Sequence, residues 1–175
     1  MKYTHRANAP IPYSFGMAWD PDGNQVEIVF LDDSAPADVF RQVQIGLTVS
    51  EAAAMNEFLA DVIGLTKVSA QKSPSSGAVI HRYAMGVSQI KFWQGRERLP
   101  AHVGSPYEIQ GMSPLQFIVP DVDIVRAAVL ERGGKIHTEP YALGKSTTIM
   151  FVEGPDGILL EFAGPLLLRL AASAE

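Results

Sequence analysis

The sequence predicts an α+β fold of two consecutive βαβββ units, preceded by a β-hairpin that looks like the end of a preceding domain. Two internal repeats predict it. The order strand–helix–three strands occurs twice, in step at a spacing of 70 residues: Ile45/Leu115, Leu47/Phe117, Val49/Val119, Glu51/Asp121 and Gly64/Gly134. A shorter repeat relates Asp20-Pro21-Asp22-Gly23-Asn24-Gln25-Val26-Glu27-Ile28 to Gly154-Pro155-Asp156-Gly157-Ile158-Leu159-Leu160-Glu161-Phe162, 134 residues later. Repetition at a fixed spacing marks a repeated structural unit.

The elements follow in order. Residues 13–30 read as two apolar strands around a Pro-Asp-Gly turn, with Glu27 inside the second. Ile45, Leu47 and Val49 alternate with Gln44, Gly46 and Thr48, the period of a strand with two different faces. Ser50 is the expected N-cap of a helix carrying Met55, Phe58, Leu59 and Val62, which Gly64 ends. Strands are expected near 66–71, 78–85 and 88–93, separated by turn residues. The second unit repeats this with a strand at 115–119, a helix opened by Asp121 and stopped by Gly133-Gly134, and strands at 135–138, 146–152 and 158–162. The expected organisation is an extension at 1–43, a domain at 44–165 with units 44–93 and 113–165, and a tail at 166–175.

Composition excludes several classes of partner. The 175 residues suit one domain that buries most of its unfolded surface. A net charge of −5 without a Lys/Arg cluster offers nothing general to nucleic acid or an anionic membrane. No apolar run approaches the roughly 20 residues that span a bilayer. The first residues lack the apolar stretch of a secretory signal. With no Cys there is no disulfide, thiolate metal site or cysteine nucleophile. The expectation is a soluble cytoplasmic protein.

The paired units resemble the vicinal oxygen chelate superfamily of glyoxalases, extradiol dioxygenases and bleomycin resistance proteins. The resemblance covers about residues 44–165 and rests on Gln44-Ile45-Gly46-Leu47-Thr48-Val49 with its helix, Val62-Ile63-Gly64-Leu65, Val119-Pro120-Asp121-Val122-Asp123, and the Gly-Pro-Asp-Gly-strand-Glu ending. It implies a U-shaped open sheet with helices outside and a ligand cavity within. It also implies metal ligands on the first and last strands of each unit, at positions that fall here on Gln44, Lys91, Pro114 and Glu161.

Strand alternation independently directs Gln44 and Glu161 away from Ile45, Leu47, Leu160 and Phe162, the residues expected to pack on the helices. A carboxylate offers a hard oxygen ligand and an amide a neutral one. Protonated Lys has no lone pair, and Pro has no side-chain donor. Three roles for Glu161 are open: a metal ligand with Gln44 and an outside residue such as His81, the partner of Lys91 in an ion pair, or a general base. The ion pair accounts for Lys91 and Glu161 together and is the reading the sequence favours.

Trp93 follows Lys91 on the same face and Gln116 follows Pro114, so both are candidate ligand contacts. His81 and Tyr83 share one face of their strand and would suit proton transfer or aromatic stacking if that face looks inward. His102 lies in a long loop, and Glu27 repeats Glu161 in the hairpin.

The function expected is binding of a small molecule in an apolar cavity lined by Gln44, Lys91, Trp93, Gln116 and Glu161, with His81 and Tyr83 as further contacts and no full metal set. The alternative is a lyase, isomerase or dioxygenase using a divalent metal (Fe, Mn, Ni or Zn) held by Gln44 and Glu161. Apolar surface on the hairpin and in Leu166-Leu167-Leu168 makes a homodimer the expected assembly.

Overall fold

The computed structural model describes residues 3–6, 12–31, 42–73, 76–95 and 114–166. Its strands are β1 (Tyr3–Arg6), β2 (Tyr13–Trp19), β3 (Gln25–Leu31), β4 (Gln44–Val49), β5 (Lys67–Lys72), β6 (Val79–Met85) and β7 (Ser88–Gln94) in the first half. The second half holds β8 (Leu115–Ile118), β9 (Lys135–Leu143), β10 (Thr147–Glu153) and β11 (Leu159–Pro165). Helix α1 (Ala52–Glu57) follows β4, and α2 (Val122–Glu131) follows β8. Each unit is a four-stranded sheet, ordered β4-β7-β6-β5 and β8-β11-β10-β9, and a third sheet runs β1-β2-β3.

Parallel pairing of the first and last strands organises both units. β4 pairs with β7 and β8 with β11, whereas the intervening strands pair antiparallel. A parallel partner needs a crossover, which the helix and two further strands provide. Gly46 stands opposite Lys91 and Gln116 opposite Glu161, so the spacing of 70 survives in the strand register.

One core joins the units. Met55, Phe58 and Leu59 from the α1 segment cluster with Tyr83, Ile90 and Phe92 from the first sheet and with Met150, Val152, Leu160 and Phe162 from the second. Backbone contacts reinforce the join. Gly154 accommodates the Phe58 ring, and Arg132 Nη1 donates to the Val62 carbonyl at 3.3 Å.

The helix termini differ in chemistry. Asp121 caps α2 as expected, its Oδ1 accepting from the amides of Asp123 and Ile124 at 2.9 and 3.3 Å. Ser50 does not cap α1. The N-cap position is Glu51, without a side-chain bond, and the Ser50 amide donates to Asp156 Oδ2 at 2.8 Å across the units. After α1 the chain widens into a π turn over Phe58–Val62, closed by a bond from the Ile63 amide to the Phe58 carbonyl.

The hairpin repeat is geometric as well. β2 and β3 occupy the positions of β10 and β11 shifted by 134, and Met17 faces Glu27 as Phe151 faces Glu161. Both turns use a glycine at positive φ, Gly23 at 82° and Gly157 at 74°, which explains why Pro-Asp-Gly recurs. The N-terminal sheet therefore reproduces the last three strands of a unit. Among the described residues no helix or parallel strand accompanies it, and Val26 and Ile28, which correspond to the helix-packed Leu160 and Phe162, are exposed.

The Gly154→Ala variant tests the join between the units. A Cβ there would lie 2.4 Å from Phe58 Cε1 and 2.8 Å from Ile158 Cγ2, so the buried ring must shift. The expected loss is about 1–3 kcal/mol of stability, read from urea unfolding at unchanged m-value.

Candidate functional site

The core fixes which face of each sheet is free of helices. Ile90 and Phe92 are buried in the helix-packed core, so Gln89, Lys91 and Trp93 project from the other face of β7. Gln44, Gly46 and Thr48 share that face on β4, and Ile80, Arg82 and Ala84 share it on β6. On the second sheet the equivalent face carries Gln116 on β8 and Glu161 on β11.

The Trp93 ring and the Lys91 stem lean over Gly46: a Cβ at Gly46 would meet Trp93 Cη2 at 3.2 Å and Lys91 Cε at 3.4 Å. The missing side chain at Gly46 is what lets both lie against the sheet. Gln44 is exposed at the start of β4, level with Gln89.

Lys91 does not pair with Glu161. Lys91 Nζ lies 3.1 Å from Oε2 of Glu27, which β3 of the N-terminal sheet brings to the first unit. Glu161 accepts instead from Gln116 Nε2 at 2.8 Å, its neighbour in the parallel register. The ion pair favoured by the sequence is thus replaced by two separate contacts. The Lys91 and Glu27 side chains keep 20% and 34% exposure, so their pair is worth roughly 0–1 kcal/mol.

The structure places His81 and Tyr83 on the opposite face of β6 from Arg82, away from the other expected ligand contacts. Tyr83 faces Ile90 and is 1% exposed, with its hydroxyl donating to Asn56 Oδ1 at 2.7 Å beneath the α1 segment. The His81 ring stacks on Phe92, centroids 4.8 Å apart and planes 5° off parallel. Burial lowers the His81 pKa, and nearby Lys67 adds to the effect. Burial likewise raises Tyr83, with Asp61 contributing. Tyr83 fills the core beneath α1, and the partly buried His81 shares its face, away from Lys91 and Trp93.

As a metal site the inherited positions fit poorly. Lys91 is a cation engaged by Glu27, Pro114 has no donor, and Gln44 and Glu161 alone supply oxygens. Among the described residues no three of His, Asp or Glu gather at metal-binding distances. His102 lies outside the described residues, and His5 hydrogen-bonds Ser14 at 3.0 Å in the N-terminal sheet.

The open face is less hollow than expected. On the second sheet Ile149, Phe151 and Ala163 form a separate buried cluster, with Phe151 directly opposite Glu161. A recess of about 340 Å³ occurs elsewhere, lined by Ser50, Glu51, Ala54, Pro155 and Asp156 where the two units meet. None of the expected site residues lines it.

Two residues of the open face were missed in sequence, and a third, Glu27, was noted there only as the repeat of Glu161. Gln89 precedes Lys91 by one alternation and presents a buried Oε1 without a hydrogen-bond partner. Arg82 stands directly opposite Lys91 in the β6–β7 register. Glu27 enters from the N-terminal sheet. The first follows from strand parity, the second needs the hairpin register, and the third is signalled by its correspondence with Glu161.

Two βαβββ units with parallel outer pairs, helices on one face and polar groups on the other define a paired βαβββ fold. The family model described as the Glyoxalase/Bleomycin resistance protein/Dioxygenase superfamily matches residues 41–162, and the chain belongs to that superfamily. Solved structures agree in fold. A glyoxalase family protein from Enterococcus faecalis is 21% identical at a TM-score of 0.57, with 70% of this chain and 94% of that chain covered. A glyoxalase family protein from Bacillus cereus is 19% identical at 0.59, covering 71% and 93%. Glyoxalase I from Zea mays is 18% identical at 0.58, and the match covers 69% of this chain but 43% of the maize chain. No curated protein matches the chain.

The placement of His81 has a pH signature. Its folded pKa lies below 6.5, so the unfolded chain takes up the proton first as pH falls. Stability from neutral His81 is full above pH 6.5 and is lost as pH falls from there through the lower folded value. The His81→Phe variant keeps a ring on Phe92 and removes the unpartnered Nδ1. Its melting temperature is expected to fall less than that of the unaltered protein between about pH 7 and pH 5, as measured by calorimetry.

Proposed function

We propose that this protein binds a small organic molecule on the helix-free face, with Gln44, Lys91, Trp93, Gln116 and Glu161 as contacts, and that it does so without the superfamily's full metal-ligand set. The observation that carries the reading is the Lys91–Glu27 ion pair: a ligand position of the superfamily is held by a cation whose charge is already engaged. The neighbouring groups suit recognition. Trp93 offers a flat apolar wall, while Gln44 and the Gln116–Glu161 pair offer donors and acceptors. Glu161, hydrogen-bonded on one oxygen and set beside Phe151, has a second oxygen with which to accept from a ligand.

Metal content decides between this reading and a metal-dependent enzyme. Protein purified without chelator is expected to hold well under one equivalent of metal. Its melting temperature is expected to stay fixed on adding Mn, Fe, Ni or Zn. A stoichiometric metal lost in Glu161→Ala would overturn the reading in favour of a divalent-metal lyase, isomerase or dioxygenase.

Association with a second copy is also proposed, supported by the exposed Val26 and Ile28 on a strand at the edge of its sheet. Light scattering is expected to give twice the chain mass, and Ile28→Lys is expected to lower it. A single-chain mass at all concentrations would remove the proposal.

A further inference from the structure

We propose that Lys91 and Arg82 form the binding site for the carboxylate of a small organic anion, a place that Glu27 holds until such a ligand arrives. The proposal rests on the reading of the helix-free face as a ligand site and adds the charge and class of the ligand.

The register supplies the first argument. Lys91 and Arg82 are direct cross-strand partners on the helix-free face, and both are partly buried. Like charges directly opposite in an antiparallel pair repel. Glu27 neutralises one of them, and Arg82 forms no ion pair among the described residues. One positive charge is left over at this point of the sheet.

The second argument is the nature of Glu27 as a partner. It comes from a separate sheet through one side chain, which is one-third exposed and free to turn to water. A carboxylate already sits 3.1 Å from Lys91 Nζ, so the place fits a carboxylate by demonstration. A ligand carboxylate taking that place exchanges one weak ion pair for another and, with no tether to β3, is free to settle between Lys91 and Arg82.

The surroundings complete the ligand's description. The Trp93 ring reaches over Gly46 beside the Lys91 stem and suits a planar apolar body. Gln89 lies one alternation along β7 from Lys91 with its buried Oε1 lacking a donor. A hydroxyl or amide N–H on the ligand would satisfy it. The class is therefore a small, flat monocarboxylate, of which benzoate is the simplest aromatic member.

Benzoate and its uncharged isostere benzamide test the charge, read from the chemical shift of the Trp93 indole N–H and assigned with Trp93→Phe. Benzoate is expected to bind roughly tenfold more tightly than benzamide. Glu27→Gln removes the competing carboxylate and is expected to tighten benzoate roughly fivefold while leaving benzamide unchanged. Lys91→Met is expected to abolish the preference, and Arg82→Gln to reduce it where the first variant fails to fold.

Equal affinity for benzoate and benzamide would overturn the proposal yet leave a ligand site. Binding of neither would overturn it and count against that site as well. Unchanged or weaker benzoate binding in Glu27→Gln would show that Glu27 is not a stand-in. A response to inorganic phosphate as strong as to benzoate would reduce recognition to charge and overturn the carboxylate assignment.

Discussion

Parallel pairing of the first and last strand in each unit is the constraint from which the rest follows. A parallel partner cannot be reached by a tight turn, so the chain must leave the sheet after β4 or β8, cross over one face, and return. The crossover helix then buries that face, and strand parity hands every second residue to it. Ile90 and Phe92 go under the helix, as do Leu160 and Phe162. Lys91 and Glu161, one residue away, are delivered to the opposite face in both units. The candidate site is the complement of the core: polar residues left off the helix-packed face and held in order by neighbours that are buried there.

The repeats made the fold legible because both are carried by residues with strict local demands. Gly23 and Gly157 require left-handed backbone, and alternating apolar residues require a two-faced strand. Parity also assigned Gln44, Lys91, Trp93, Gln116 and Glu161 to one face, because each sits beside residues visibly destined for the core. β6 gave no such clue. His81, Tyr83 and Met85 face Ile80, Arg82 and Ala84 across the strand, and both sets mix polar with apolar residues. Pairing with β7 decides the matter, since Tyr83 must lie level with Ile90 and His81 with Phe92. A register between two strands is a long-range fact that periodicity within one strand does not contain.

Ion-pair partners were illegible for a related reason. The sequence places Lys91 and Glu161 at corresponding positions of two units, and charge economy suggests that they meet. In the fold each finds a nearer partner, Glu27 and Gln116, and the energies permit it. A partly exposed ion pair is weak, so a modest gain elsewhere redirects it. Gln116 stands level with Glu161 by register alone, and that contact needs no side chain from another sheet. Lys91 has Gly46 at the same level, which offers nothing to bind. The asymmetry between the units therefore begins at one pair of positions, glycine in the first unit and glutamine in the second.

The same comparison explains why one duplicated glutamate has two fates. Glu161 lies in a complete unit, between a parallel strand that supplies Gln116 and an antiparallel strand that supplies Phe151. Glu27 has Met17 on its antiparallel side, but among the described residues no parallel strand stands beyond β3. With no Gln116 equivalent beside it, its carboxylate must look outside its own sheet for a donor. Lys91, deprived of a neighbour by Gly46, is the group that answers. The absence of a parallel strand beside β3 among the described residues, and of a side chain at Gly46, together leave room for a contact that neither repeat encodes alone. It falls on the helix-free face of the first sheet.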